Sequence, residues 1–182
     1  MNKDKEPLDF FITSDTWFGR PQILDIANRT SFSSIEKMNE VFIKNWNSLV
    51  KPDDIVFHLG NFAWDPITAR KVFKKLNGEI SFLIGHSDDA LLEVESEFSN
   101  INIINGQIVE LPDHDSVLCH YPLEVWNGKF SGTLHFHGHT TYSHKTDLSV
   151  SNRINVCPDF WDYYPVKYST IKYIINEKQK NL

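Results

Sequence analysis

Short apolar runs alternate with helical patterns through the first half of the chain, and this alternation limits the folds that it can adopt. The runs are rich in β-branched and aromatic residues and predict buried strands at residues 8–12, 55–59 and 80–84. Apolar residues at helical spacing predict helices at residues 35–46 and 66–76. Alternation of strand and helix requires crossover connections between parallel strands, so this half predicts an α/β fold.

The second half of the chain has mostly strand patterns. Residues 101–104 and 107–111 flank Asn105-Gly106, a turn signal that predicts a β-hairpin between them. Further apolar runs predict strands at residues 117–119, 133–136 and 154–156. Residues 170–178 are predicted to form a terminal helix. Because no repeat or linker interrupts the pattern, residues 1–182 predict a single domain.

The composition argues against several classes of protein. Hydrophobic residues make up 41% of the chain and charged residues 23%, a mixture typical of globular proteins rather than disordered or fibrous ones. The net charge of -6 argues against broad nucleic-acid binding, which needs a surplus of Lys and Arg. No apolar run reaches the length of a membrane span, and the charged residues 1–7 lack the apolar core of a signal peptide. We therefore expect a cytoplasmic protein with no membrane partner.

Polar residues that can bind metals or phosphate follow the predicted strands. Ligand sites in open α/β sheets form beyond the carboxyl ends of the strands, so these residues should meet in one cleft although the chain separates them widely. In chain order they are Asp15, Asn61, His86, Asp88, His120 and His139.

The order of these strand-end phrases resembles the motif series of the calcineurin-like metallophosphoesterases, specifically the small single-domain type common in bacteria and phages. That series runs D-x-H, G-D, G-N-H-D or E, H, and G-H-x-H. The corresponding phrases here are Asp15-Thr16-Trp17, Gly60-Asn61, Gly85-His86-Ser87-Asp88, Cys119-His120 and Gly138-His139-Thr140-Thr141. The resemblance covers nearly the whole chain. It implies a two-sheet α/β/β/α sandwich, with helices on the outer faces, and a dinuclear metal site for phosphate-ester hydrolysis.

The resemblance also implies that the first metal site has been lost. In the family this ion is held by the Asp and His of the first motif, the bridging Asp of the second and the last His of the fifth. The equivalent residues here are Asp15, Trp17, Asn61 and Thr141. An indole cannot ligate a metal, and an amide and a hydroxyl are poor substitutes for a carboxylate and an imidazole. A two-metal centre is therefore not expected.

The equivalents of the second metal site retain more ligands. They are Asn61, His86, His120 and His139. Three imidazoles and one amide suit a single divalent transition-metal ion such as Zn²⁺ or Mn²⁺. The expected cofactor content is therefore either none or one such ion.

The residues for proton transfer and phosphate binding also differ from the family pattern. The catalytic His of the family is Ser87 here, while its usual partner remains as Asp88, so no residue is assigned as catalytic. Arg20 stands where relatives often carry a His and adds a cation suited to bidentate phosphate binding. Trp17 either fills the space of the lost ligand or stacks on a bound molecule, and both interpretations stand.

Three functions are compatible with these residues. The first is a pseudoenzyme that binds a phosphorylated small molecule, a nucleotide-like ligand or a protein partner with no turnover or very slow turnover. The second is a single-metal phosphodiesterase or phosphatase that uses His86, His120 and His139, and the third is a structural or interaction protein with no ligand. The loop glycines at positions 60, 85 and 138 favour the first, since they indicate a folded site kept for something other than hydrolysis.

Overall fold

The computed structural model describes residues 8–141 and 152–180, with side chains up to residue 177. The charged N-terminal residues 1–7 lie outside this part. Its strands are β1 (Phe11–Thr13), β2 (Ile55–His58), β3 (Glu79–Phe82), β4 (Ile101–Ile103), β5 (Ile108–Leu111), β6 (Ser116–Cys119), β7 (Leu134–His137), β8 (Arg153–Asn155) and β9 (Val166–Lys167). Its α-helices are α1 (Ile23–Ile26), α2 (Ile35–Leu49), α3 (Pro66–Phe73), α4 (Asp89–Val94) and α5 (Tyr168–Lys180). None of these helices is long and apolar enough to cross a membrane.

The strands form two sheets. The first has the order β4-β3-β2-β1-β9, in which β1 to β4 run parallel and β9 pairs antiparallel with β1. The second has the order β5-β6-β7-β8, in which only the β5–β6 pair is antiparallel. The predicted two-sheet α/β sandwich is confirmed.

The hairpin predicted at residues 101–104 and 107–111 is wrong. β4 pairs in parallel with β3, with Ile80 opposite Ile101, whereas β5 pairs with β6 in the other sheet. The segment between the two strands crosses from one sheet to the other. Asn105-Gly106 allows the chain to change direction, but a turn signal does not specify which strand pairs with which.

Two hydrophobic clusters hold the layers together. The first joins one face of the first sheet to helices, through Phe11, Val56 and Ile80 of the strands and Phe42, Val72 and Leu91 of α2, α3 and α4. The second joins the two sheets and α5, through Ile12, Leu118, Phe136, Ile154 and Ile171. The neighbouring residues Phe11 and Ile12 enter different clusters because successive side chains of a strand point to opposite faces.

Helix α2 shows how local sequence fixes an element of the fold. Its N-cap is Ser34, whose hydroxyl accepts a hydrogen bond from the Lys37 N–H and satisfies one of the free donors of the first turn. Its buried face is made of Ile35, Met38, Phe42 and Trp46, which recur every three or four residues.

Candidate functional site

The carboxyl ends of strands from both sheets bring the predicted site residues together. A cavity of about 190 Å³ lies there, and its lining includes seven of them, namely Asp15, Trp17, Arg20, Asn61, His86, His139 and Thr141. Another predicted residue, His120, is buried behind the lining, with its Nε2 atom 3.3 Å from both His86 Nδ1 and Asn61 Nδ2. Ile23 and Ile26 of α1, which the sequence pattern did not single out, form an apolar wall.

Three imidazoles form a cluster with the geometry of a metal site. The ligating atoms of His86, His120 and His139 all lie within 4.8 Å of one another. Tetrahedral Zn–N bonds of about 2.0–2.1 Å place two ligand nitrogens roughly 3.3 Å apart, and His86 Nδ1 and His120 Nε2 are 3.3 Å apart. These three histidines are thus positioned to hold a single metal ion.

His120 is held in the orientation that ligation requires. Its Nδ1 lies 2.6 Å from the Leu59 carbonyl oxygen, which only a protonated Nδ1 can satisfy. With the Nδ1 proton directed at this carbonyl, the nitrogen left for ligation is Nε2, the atom that faces the other histidines. Burial, followed by the neighbouring His120, lowers the pKa of both His86 and His139 and favours the neutral form that binds metals.

Asn61 faces the histidines with its amide nitrogen. Its Nδ2 donates to Asp15 Oδ1 at 2.8 Å, while its Oδ1 accepts from the Ser87 N–H at 3.2 Å. Reversing the amide would place two oxygens in contact at Asp15 and two donors in contact at Ser87. Since an amide nitrogen offers no lone pair to a metal, Asn61 does not join the histidines as a ligand in this arrangement.

The carboxylate of Asp15 is fully engaged within the protein. One oxygen accepts the Asn61 amide, and the other accepts the His139 N–H at 2.7 Å and the Cys157 thiol at 3.3 Å. Trp17 and Thr141, which the resemblance aligns with other ligands of the first metal, line the same cavity and offer no ligand suited to this kind of ion. The donor chemistry of this half of the cavity does not fit a second ion.

Asp88 joins the loops after β2 and β3. One of its oxygens accepts the N–H groups of Asn61 and Gly85 at 2.8 and 2.7 Å, and the other accepts the Phe62 N–H at 2.8 Å. The side chain is buried, with 2% of its surface exposed. Asp88 is therefore a structural clamp on the loops that carry Asn61 and His86.

The site residues have unusual backbone conformations. Asp15, Trp17, Asn61 and His139 all have positive φ angles, between 47° and 68°. Such angles cost a non-glycine residue on the order of 1–3 kcal/mol and tend to persist at functional sites. Gly138 lets two of these loops meet, because a Cβ atom there would lie 2.4 Å from Asp15 Oδ2.

Arg20 lies between two indole rings at the edge of the cavity. Its guanidinium carbon is 4.2 Å from the ring centroid of Trp17 and 4.9 Å from that of Trp64. Its Nε is buried without a hydrogen-bond partner, and in the described part of the chain no carboxylate lies within ion-pair distance of the group. Burial lowers the pKa of this guanidinium. An anion bound in the plane of the guanidinium would accept hydrogen bonds from its N–H groups.

Arg29 supports the loop that follows β1. No sequence pattern indicated this role. It is fully buried, forms a bidentate ion pair with Asp159, and donates to the carbonyl oxygens of Asp15 and Thr16 at 2.8 and 3.0 Å. No local sequence signal connects Arg29 to Asp159, which is 130 residues away. The side chain fixes the carbonyl groups of two successive peptides, Asp15–Thr16 and Thr16–Trp17.

Other histidines near the site belong to the core. His58 is buried and lies 3.0 Å from the Thr16 hydroxyl, and burial lowers its pKa to about 3. His135 accepts from the Leu123 N–H through Nε2, and its Nδ1 lies 3.2 Å from the Val117 carbonyl oxygen. Burial lowers the pKa of His135 to about 4. Both rings are neutral structural groups.

We expect acid to destabilise the fold between pH 6.5 and 5 because His58 and His135 stay neutral in the folded protein. In the unfolded chain each has a pKa near 6.5 and takes up a proton, so the unfolded state binds more protons as the pH falls. The contribution of these two histidines to the free energy of unfolding is fully present above about pH 6.5. Below that pH it decreases by about 1.4 kcal/mol per pH unit for each histidine, until the pKa of the folded state is reached. Urea unfolding at pH 7 and pH 5, with chelator present, measures the slope.

The matched variant is His135→Gln, which keeps a donor and an acceptor but does not titrate. It should be less stable at pH 7 and show a shallower loss between pH 6.5 and 5. Identical slopes for the two proteins would contradict the assignment of His135.

The fold and the site together define a class, a two-sheet α/β sandwich with a histidine cluster at the carboxyl ends of its strands. No protein-family model matches the chain. The chain belongs to the family of the uncharacterized protein MJ1445 of Methanocaldococcus jannaschii, to which it is 30% identical over 174 residues, 92% of this chain and 91% of that protein. The crystal structure of the protein of unknown function AQ665 from Aquifex aeolicus shares the fold, with a TM-score of 0.67 and 22% identity over 93% of this chain and 100% of that one.

Proposed function

We propose that the protein is a degenerate metallophosphoesterase that binds one divalent ion, Zn²⁺ or Mn²⁺, through His86, His120 and His139. Beside this ion it holds a phosphorylated small molecule, which it hydrolyses very slowly or not at all. The proposal rests on one juxtaposition, the oriented imidazole cluster and the stacked Arg20 along a single cavity. Because His139 is exposed, rotation of its side chain would bring a ring nitrogen closer to an ion held by His86 and His120.

The charges of the cavity favour a phosphate group. Three neutral imidazoles leave the charge of a divalent ion uncompensated, and Arg20 adds another positive charge on the same lining. Asp15 supplies one negative charge and is already hydrogen-bonded. A phosphate monoester, with up to two negative charges and several acceptor oxygens, complements this set.

The residues that would support fast hydrolysis are missing or engaged. Asp88 accepts three main-chain N–H groups, both oxygens of Asp15 accept donors, and Ser87 stands at the position of the family's acid. A bound ion would still polarise a phosphoryl oxygen. However, the site lacks an acid for the leaving group, a bridging carboxylate and a second ion. Without them, most of the stabilisation of the transition state is lost.

We expect about one Zn²⁺ ion to bind per chain, and His86→Ala to weaken this binding by at least about 100-fold. Loss of supporting groups around a metal already costs about 10- to 100-fold, and His86 is a direct ligand in the proposal. Its imidazole is exposed, so the variant should still fold. Titration calorimetry with Zn²⁺ gives the stoichiometry and the affinity.

The control is His114→Ala, since His114 lies outside the cluster and contacts the Leu8 carbonyl oxygen. It should bind Zn²⁺ like the unmodified protein. In the metal-loaded protein, inorganic phosphate should raise the melting temperature, and Arg20→Gln should remove most of that shift. Two ions per chain, or unchanged binding by His86→Ala, would refute the proposed site.

The second candidate is a single-metal phosphoesterase. The observation that favours it is the count of three protein ligands, which leaves a coordination position open as in catalytic zinc sites. It differs from the leading proposal in turnover by the unmodified, metal-loaded chain.

The two candidates are separated by an assay of bis(p-nitrophenyl) phosphate and p-nitrophenyl phosphate with Mn²⁺. A matched variant restores the family pattern with Trp17→His, Asn61→Asp, His86→Asn, Ser87→His and Thr141→His. We expect turnover roughly 100-fold or more above the unmodified protein in a restored variant that circular dichroism shows to be folded. Robust metal-dependent turnover by the unmodified chain would instead establish the second candidate.

A further inference from the structure

The cavity beside Arg20 is too small for a whole cofactor-sized ligand. Its volume is about 190 Å³, whereas sites for drug-sized molecules occupy about 300–1,000 Å³. The cavity therefore holds a phosphate group and only part of a larger ligand. The remainder of a larger phosphorylated ligand must therefore lie outside, against the residues at the rim.

The rim next to Arg20 is apolar and aromatic. Trp64 is in direct contact with the guanidinium, yet 51% of its surface is exposed, whereas Trp17 on the other side of Arg20 is only 3% exposed. Ile26, which lines the cavity, is 47% exposed. Trp17 is thus a core residue, while Trp64 offers open indole surface beside a cation.

We infer that Trp64 is a stacking platform for a nucleobase, so that the ligand of the cavity is a nucleoside 5′-monophosphate. Indole faces stack on flat aromatic rings, and an indole takes any of the bases because every base has a π-face. Arg20 binds the phosphate and Trp64 binds the base. The guanidinium carbon lies 4.9 Å from the Trp64 ring centroid, so the two subsites are adjacent, as the phosphate and the base of one nucleotide are. This inference rests on the proposed function, since it uses the same cavity and the same phosphate site.

A base, a ribose and a 5′-phosphate occur together both in a free nucleotide and at the phosphorylated 5′ end of a nucleic-acid strand. The net charge of -6 disfavours a surface that follows a phosphate backbone. The free nucleotide is therefore the source to which the inference commits.

The test compares AMP with ribose 5-phosphate on the metal-loaded protein by titration calorimetry. Stacking of one base contributes about 1–3 kcal/mol, so AMP should bind about 5- to 150-fold more tightly than ribose 5-phosphate. Trp64→Ala should remove this preference. If Trp64→Ala also weakens phosphate binding by Arg20, the loss of affinity is the same for both ligands. The ratio of the two affinities therefore isolates the contact with the base.

Two variants provide the controls. Trp64→Phe should keep part of the preference for AMP, because phenylalanine also stacks. Tyr173→Ala removes another exposed aromatic residue, on α5, and should leave both affinities unchanged.

The outcomes separate this inference from the function on which it rests. Equal affinities for the two ligands, or a preference that survives in Trp64→Ala, would overturn the base platform while leaving phosphate binding intact. Failure of both ligands to bind would overturn the phosphate site and the platform together. A 5′-phosphorylated oligodeoxyadenylate that binds more tightly than AMP, with strong salt dependence, would overturn the free nucleotide as the source.

Discussion

Replacement of Asp88 by alanine is expected to destabilise the protein by roughly 3–6 kcal/mol, a large fraction of the stability of a domain of this size. The variant leaves the buried N–H groups of Asn61 and Phe62, and the partly buried N–H group of Gly85, without their acceptor. Each buried donor that loses its partner costs about 1–3 kcal/mol. Urea unfolding monitored by tryptophan fluorescence measures the change.

The neighbouring residue provides a matched control for Asp88. Asp89 carries the same side chain at the first position of α4 but is exposed, so Asp89→Ala should change stability by less than about 1 kcal/mol. Asp88→Asn keeps one acceptor oxygen and should fall between the two variants, which gives a measurable case even if Asp88→Ala does not fold. Equal stabilities for Asp88→Ala and Asp89→Ala would contradict the role of Asp88 as the acceptor that joins the two loops.

Arg29→Met is expected to destabilise the protein by about 3–5 kcal/mol because it leaves a nearly buried carboxylate without its partner. Arg29 is fully buried against Asp159, of whose side chain only 9% is exposed. The half-exposed Arg70 donates from Nε and a terminal nitrogen to Glu97 on the surface, so Arg70→Met should cost less than about 1 kcal/mol. Urea unfolding of the two variants measures the contrast.

A double variant tests what else Arg29 does. Arg29→Met combined with Asp159→Leu removes both charges, and a buried pair replaced by apolar residues is often close to neutral. Arg29 also donates to the carbonyl oxygens of Asp15 and Thr16, so the double variant should recover only part of the lost stability. Full recovery would show that these carbonyl contacts contribute nothing.

Much of the architecture could be predicted from local patterns. The helical spacing of Ile35, Met38, Phe42 and Trp46 is the buried face of α2, since burial of one helical face requires that period. The apolar runs of the first half are the parallel strands β1, β2 and β3. The short elements α1, α4 and β9 were not predicted, because a few residues carry too little periodic signal.

The pairing of strands could not be predicted in the same way. The strand patterns near residues 101–104 and 107–111 are real, but β4 and β5 lie in different sheets. Strand pairing depends on which other edges are available, and those edges belong to β3 and β6, not to the turn between β4 and β5. A local turn signal therefore gave the wrong partner.

The sequence by itself determined the residue types that gather at the strand ends, because parallel strands must bring their carboxyl ends to one edge of a sheet. Only the tertiary structure decided their roles. The Ser87 N–H and the Asp15 carboxylate turn the nitrogen of the Asn61 amide toward the histidines, and three main-chain donors engage Asp88. The roles of Arg29 and Trp64 likewise depend on their contacts with Asp159 and Arg20, which form only in the folded protein. A side chain's partners depend on contacts between distant loops, which no local pattern of residues encodes.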